Sequence, residues 1–148
     1  MSDTPVQPDF DRFFVRYADA YNRSLEGEVQ DEAIRAHFTD VFIAAGPHGV
    51  NSGPNDESFS RTLKEAYAFY RKIGTRKMTV RRVQTLPLDA THYVCRVYWR
   101  ADYERKDGSP LTLDFEVTYM LETTSGKPKI FAFVAGDELA MYRDNGLI

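Results

Sequence analysis

The stretch HYVCRVYWRADYER, residues 92–105, alternates between two kinds of side chain along its whole length. Tyr93, Cys95, Val97, Trp99, Ala101 and Tyr103 fall on one side, and Arg96, Tyr98, Arg100 and Asp102 on the other. A period of two is the mark of a β-strand with one face turned inward. KDGSP then reads as a turn, and LTLDFEVTYML alternates again. Leu113, Phe115, Val117, Tyr119 and Leu121 oppose Asp114, Glu116, Thr118 and Met120. A five-residue loop over 106–110 places Arg105 opposite Leu111. Trp99 then faces Val117, Val97 faces Tyr119, and Arg100 meets Glu116 on the polar side. A slip of one residue would mix the faces, so the pattern resists it. The same register brings Asp102 near Asp114, which calls for a bulge or for solvent exposure. An apolar ribbon face needs a cover.

The rest of the chain supplies helices and further strands. Pro8 suits a first helical turn, and Asp9 and Asp11 favour a helix N-terminus. Phe10, Phe13, Phe14, Tyr17 and Tyr21 then recur on one helical face, with Gly27 as the stop. A second helix is expected over Val29–Phe38, with Ile34 and Phe38 on one face. VFIAAG, 41–46, reads as a strand. Glycine and proline in AAGPHGVNSGPND, 44–56, argue against regular structure there. That segment is expected to be a connector, with lid duty secondary. Asn55 or Asp56 caps the clearest helix, whose stripe is Phe59, Leu63, Ala66, Tyr67, Tyr70 and Ile73, closed by Gly74. KMTVRRVQTL and IFAFVAG are strands, and DELAMYRDNG is a short terminal helix. Residues 1–7 are expected to be a flexible tail.

A chain of 148 residues suits one core and one domain, 1–148. Apolar residues at 43% are enough to offset chain entropy, and aromatics at 14% favour a sheet-rich core or an aromatic-lined cavity. The net charge of −3 is spread along the chain, which argues against a nucleic-acid footprint. Arg81 and Arg82, with Arg76 and Lys77, read as a solvated strand face. Cys95 is the single cysteine, so no intramolecular disulfide forms and a reducing compartment fits. The N-terminal residues lack an apolar signal core, and no apolar run approaches the roughly 20 residues of a membrane span. The expected setting is cytoplasmic.

Helices first, interrupted by one strand, then a long antiparallel sheet: this order resembles the nuclear transport factor two-like superfamily, which includes SnoaL-like proteins and ketosteroid isomerase. The likeness rests on FFVRYADAYN, IRAHFTDVFIAAGPHG, GPNDESFSRTLKEAYAFYRKIG and KPKIFAFVAGDE. It implies an α+β domain in which three N-terminal helices pack on a strongly curved antiparallel sheet, forming a cone with an internal pocket. Tyr17, Tyr21, Trp99, Tyr119 and Phe133 would line that pocket. Dimerisation through the sheet is implied as well. The resemblance thus allows two covers for the apolar ribbon face, helix three with the pocket or a second subunit's sheet, and the expectation is the helix side; with the faces reversed, the pocket would be charged and its substrate too. Function varies widely on this scaffold.

Ketosteroid isomerase polarises a carbonyl with a tyrosine and a protonated aspartic acid, beside an aspartate base. Tyr17 matches the helix-one tyrosine. The base position falls at Ala45 or Gly46 and the second acid near Thr118, Val117 or Tyr119, none a carboxylate. Steroid-type isomerisation by that set is therefore excluded. The catalytic candidates are Tyr17, His48 and Asp137. His48 is an imidazole in the 44–56 segment with no carboxylate beside it in sequence. Asp137 follows the last strand and reaches toward the cone mouth. Asp114 and Glu116 share a strand face, where pairing with Arg100 would keep a carboxylate ionised and inert. His37, His48 and His92 lack metal-ligand spacing, no nucleophile elbow or phosphate loop occurs, and no metal or cofactor is expected. The expected partner is a small hydrophobic molecule, with isomerase, dehydratase or cyclase chemistry built from a tyrosine and one loop or terminal group. The alternative is a non-catalytic module whose cone is filled by its own side chains. A void of about 300 Å³ or more separates the two.

Overall fold

A computed structural model describes residues 7–148, so residues 1–6 of the expected tail lie outside the described part. The elements run α1 (Phe10–Glu26), α2 (Asp31–Arg35), β1 (Phe38–Gly46), β2 (Gly49–Pro54), α3 (Glu57–Lys72), β3 (Thr75–Pro87), β4 (His92–Glu104), β5 (Pro110–Glu122), β6 (Lys129–Ala135) and α4 (Glu138–Asp144). The strands form one curved, unclosed sheet in the order β2-β1-β6-β5-β4-β3. Neighbours are antiparallel except β1 and β6, which run parallel, so the expected antiparallel sheet carries one parallel pair. Bulges interrupt the ladders at Val80/Arg82 and at Met120/Leu121, and such extra residues bend and twist a strand. Among the described residues no helix is long and apolar enough to cross a membrane.

Helix α1 starts where Asp9 accepts a hydrogen bond from the Arg12 amide at 3.0 Å, filling one orphan donor of the first turn. Its far end is closed from α3: the Arg71 guanidinium donates to the carbonyls of Ser24 and Gly27, each at 2.5 Å. Phe10 and Phe14 are buried, and Phe13, Tyr17 and Tyr21 pack beside them. Phe14 meets Tyr119 ring to ring at 4.8 Å and Phe10 meets Tyr93 at 5.0 Å, which lays α1 across the inner face of the sheet.

The ribbon face expected to be buried is buried: Tyr93, Cys95, Val97, Trp99, Ala101 and Tyr103 lie at 5% exposure or less. Its cover is helix rather than a second sheet within the chain, and the charged face is outside. The register differs from the expected one. Glu104 pairs with Pro110, Trp99 with Phe115, Val97 with Val117 and Arg100 with Asp114. The offset is two residues in all, so every side chain keeps its face. It arises because the turn comprises residues 105–109, where the Arg105 amide donates to the Ser109 carbonyl at 2.8 Å and Asp107 accepts from the Ser109 amide at 2.9 Å. The expected Arg100–Glu116 pair is therefore Arg100–Asp114. Asp102 escapes Asp114 and accepts from the Thr112 hydroxyl at 2.9 Å.

Two other expectations are corrected. Helix α2 stops at Arg35 instead of Phe38. Phe38 opens β1 because its ring is buried against Phe42 and Phe59, at 4.8 and 5.3 Å. The His37 carbonyl also accepts from the Ile130 amide at 2.8 Å, which draws the chain into the sheet. The 44–56 segment is not a plain connector: β1 and β2 form a hairpin, with Gly46 opposite Gly49. Gly49 adopts φ +128°, a conformation open to glycine, and proline is tolerated because β2 is an edge strand. Helix α3 is capped by Asp56, which accepts from the Ser58 amide at 2.8 Å.

Candidate functional site

Between the helices and the concave side of the sheet lies a cavity of about 440 Å³. Tyr17 and Tyr21 of α1 and Tyr67 and Tyr70 of α3 form one wall. Trp99, Tyr103, Phe115, Val117, Tyr119 and Phe133 form the sheet side. Glu138 and Tyr142 close one end from α4, while Asn51, Ser52 and Pro54 of β2 border the mouth. The hairpin is tied down there. Arg35 donates to the Asn55 side chain and to the Ser60 hydroxyl, each at 3.0 Å, and Asn55 donates back to the Arg35 carbonyl at 2.9 Å.

The aromatic groups are locked by mutual contact. Trp99 Nε1 donates to the Tyr119 hydroxyl at 3.2 Å in a buried position. Tyr21 stacks on Tyr70 at 5.5 Å and meets Tyr67 edge-on at 4.9 Å. Tyr17 lies 6.2 Å from Trp99, and Tyr103 lies 6.3 Å from Tyr142. Burial pushes the Tyr70 and Tyr103 phenols up to about 12. It drives Tyr17, Tyr21, Tyr67, Tyr119 and Tyr142 well above the usual tyrosine range. These phenols are neutral at any physiological pH, so they can donate hydrogen bonds but not act as bases. Among the described residues Glu138 is the one carboxyl in the lining, and no lysine, arginine or histidine joins it. Burial pushes its carboxyl above the ordinary glutamate range.

Tyr17, Tyr21, Trp99, Tyr119 and Phe133 are all brought to this one cavity. The other two catalytic candidates are not. His48 sits exposed in the two-residue turn of the β1–β2 hairpin, which carries it outward, away from the lining. Asp137 is occupied as the cap of α4, accepting from the Ala140 amide at 3.0 Å. Its neighbour Glu138, the first residue of α4, lines the cavity instead. Neither Ala45 nor Thr118 brings an acid to the cavity, so Tyr17 stands without the two carboxyl partners of the steroid-isomerase set. Asp114 and Glu116 lie on the outer face, where Arg100 grips Asp114 at 2.9 and 3.1 Å.

His37 lies behind the cavity wall, 5.5 Å from Tyr17, with Nδ1 donating to the Ala33 carbonyl at 2.7 Å. Burial lowers its pKa, which keeps the ring neutral. Cys95 is buried, and burial pushes its thiol up to about 11, an inert state. Among the described residues no three His, Cys, Asp or Glu side chains converge as metal ligands would. Tyr67, Tyr70, Tyr103, Tyr142 and Glu138 are among the lining residues that sequence reasoning did not place in the pocket. Tyr67 and Tyr70 fall on the α3 stripe and Tyr103 on the β4 stripe, so they read as core. Glu138 had a signal, as half of an acidic pair after the last strand.

A family model described as NTF2-like protein (DUF6841) matches residues 8–138. No curated protein sequence matches the chain significantly. Among solved structures, Aln2 from a Streptomyces species superposes with a TM-score of 0.68 at 16% identity, covering 95% of this chain and 99% of that one. The β subunit of benzoate 1,2-dioxygenase from Burkholderia mallei gives 0.66 at 13%, covering 91% and 92%. A ketosteroid isomerase-like protein from Erwinia carotovora atroseptica gives 0.60 at 17%, covering 85% and 91%. At such identities the likeness is one of fold.

Proposed function

Since the chain belongs to the NTF2-like family DUF6841, in which a scaffold serves many ends, we propose that it binds a small, mainly apolar, ring-bearing molecule inside its cone. One observation carries this reading: the 440 Å³ aromatic-lined cavity. It exceeds the ~300 Å³ lower bound of ordinary ligand pockets, and the self-filled module would leave no such space. Flat tyrosine and tryptophan faces suit a ring, and neutral phenols suit one or two hydrogen-bonding groups on it. Isomerase, dehydratase or cyclase chemistry would have Tyr17 as a donor and Glu138 as the only proton acceptor in reach. The working unit is a homodimer through the outer sheet face. There Ile43, Val134 and Val50 are 42, 48 and 71% exposed, and the pairings Ala45–Val134 and Ala45–Val50 set the latter two on either side of Ala45. A buried lone thiol fits the cytoplasm.

Binding is tested by titrating ring compounds into the full chain and following both Trp99 fluorescence and the melting temperature. Trp99 is the single tryptophan and lines the cavity, so a saturable quench should accompany a rise in melting temperature. A broad panel that moves neither signal would sink the reading.

A further inference from the structure

We propose that the cavity selects an organic amine: a ligand with an apolar ring body and one protonated nitrogen, held by the Glu138 carboxylate among tyrosine faces. This inference rests on the small-molecule reading and names the chemistry of its ligand.

The cavity carries an imbalance of charge. Among the described residues Glu138 is the sole acid of the lining, and none of them offers it a cation there. Three exposed acids show what such a partner looks like: Asp114 pairs with Arg100 and Arg81, Glu104 with Arg76, and Asp19 with Arg23. Glu138 is also not spent on its own helix, because Asp137 already caps α4. A carboxyl drawn away from water resists ionisation unless a positive group joins it. A protonated amine would supply that group.

The surroundings suit the same guest. The groups facing Glu138 are Tyr17 and Tyr21 from α1, Tyr70 from α3, Tyr103 from β4, Tyr119 from β5 and Tyr142 from α4, and each phenol feels its charge. The negative face of an aromatic ring attracts a cation within about 6 Å, most strongly where water is excluded. A carboxylate ligand would meet repulsion from Glu138. A neutral ligand would gain the rings but leave the carboxyl without a partner. The tyrosines stay protonated over the whole useful pH range, so Glu138 alone titrates in the lining, and its ionised form is the one that binds. Affinity for an amine therefore rises with pH through the pKa of Glu138 and then levels.

The test is calorimetric titration of the full chain with three ligands that share one ring body: naphthylmethylamine, naphthylmethanol and naphthoate. The amine should bind on the order of tenfold more tightly than the alcohol, and naphthoate more weakly than either. The amine's affinity should increase as pH rises through the raised Glu138 pKa and then level, while the amine keeps its own proton. Glu138→Gln, which preserves shape, should bring the amine down to the level of the alcohol and flatten the pH profile. The wild-type pH profile stands independently of how well that variant folds. Equal affinity for amine and alcohol, or an amine affinity unmoved by Glu138→Gln in a folded variant, would overturn the inference while leaving small-molecule binding intact. Failure of all three together, with neutral hydrocarbons also failing, strikes the binding reading itself.

Discussion

The two faces of the β4–β5 ribbon share one backbone and have opposite chemistry. The inner face carries Cys95, Val97, Trp99 and Ala101, sealed from water under α1. The outer face carries Arg96, Tyr98, Arg100 and Asp102, with Arg100 and Arg81 both on Asp114 and the Arg82 guanidinium 4.5 Å above the Tyr98 ring. Hydrophobic burial scales with apolar area removed from water, while exposed ion pairs gain little. The inner face therefore holds the fold, and the ion pairs of the outer face add little to it. The cavity is cut into the inner face. Trp99, Val117 and Tyr119 are core and lining at once, so in this chain the cavity surface and the stabilising surface are the same residues.

The hardest test of that statement is Trp99→Ala. Removing a buried tryptophan should lower stability by about 3–5 kcal/mol, read from chemical denaturation. Because Trp99 borders an existing void, the lower end is expected. A loss under about 1 kcal/mol would mean the inner face does not carry the fold. Gly74→Ala is next. Gly74 has φ +91°, and an added Cβ would stand 2.1 Å from the Glu104 carbonyl oxygen, backbone that cannot swing aside. Gly74 also accepts from the Glu104 amide at 2.9 Å, so it joins the end of α3 to the ribbon. A loss of about 2 kcal/mol or more follows, and an unchanged midpoint would contradict the geometry at this junction.

How much of this was legible in the sequence depends on whether the signal is local. Face assignments in β4 and β5 were readable because alternation needs only the strand itself. The register was readable to within its face, since a two-residue offset changes no side's polarity; which residues turn was decided by Asp107 and Ser109. The β1–β2 hairpin was hidden because glycine and proline, which usually break regular structure, are both tolerated on an edge strand. The cavity tyrosines were visible as an apolar stripe, but a stripe cannot say whether it meets side chains or empty space. Tyr17, Tyr21, Tyr67 and Trp99 do both: each packs on another ring and each also borders the void. Asp137 and Glu138 were separable only by knowing where α4 begins, since the cap is turned to the helix and its neighbour to the cavity.

The contrast between the faces is sharpest at Glu138, the one inner-facing carboxyl of the cavity. Its pKa is raised by burial above the ordinary value it has in the unfolded chain. Between the two values the folded state holds the proton more often than the unfolded state. Stability then falls as pH rises from the ordinary glutamate range through the folded pKa, and is level above it. Melting temperatures across that window should show this decline in the wild type and a smaller one in Glu138→Gln. A Glu138→Gln curve as steep as the wild type's would mean another group carries the slope.

The smallest effect belongs to the outer face. Asp114 is kept below the usual carboxylate range first by its hydrogen bond from Arg100 and then by the charges of Arg100 and Arg81, so the pair is formed. Formation is not contribution: both partners are open to water, which would solvate them nearly as well apart. Arg100→Gln should leave the denaturation midpoint of the folded chain unmoved at moderate salt. It also leaves Arg81 to hold Asp114 at 3.4 Å. If the midpoint drops clearly and the drop grows with dilution, the outer face is stabilising an assembly. Gel filtration across the same concentrations then decides whether Arg100 lies in the contact between two copies.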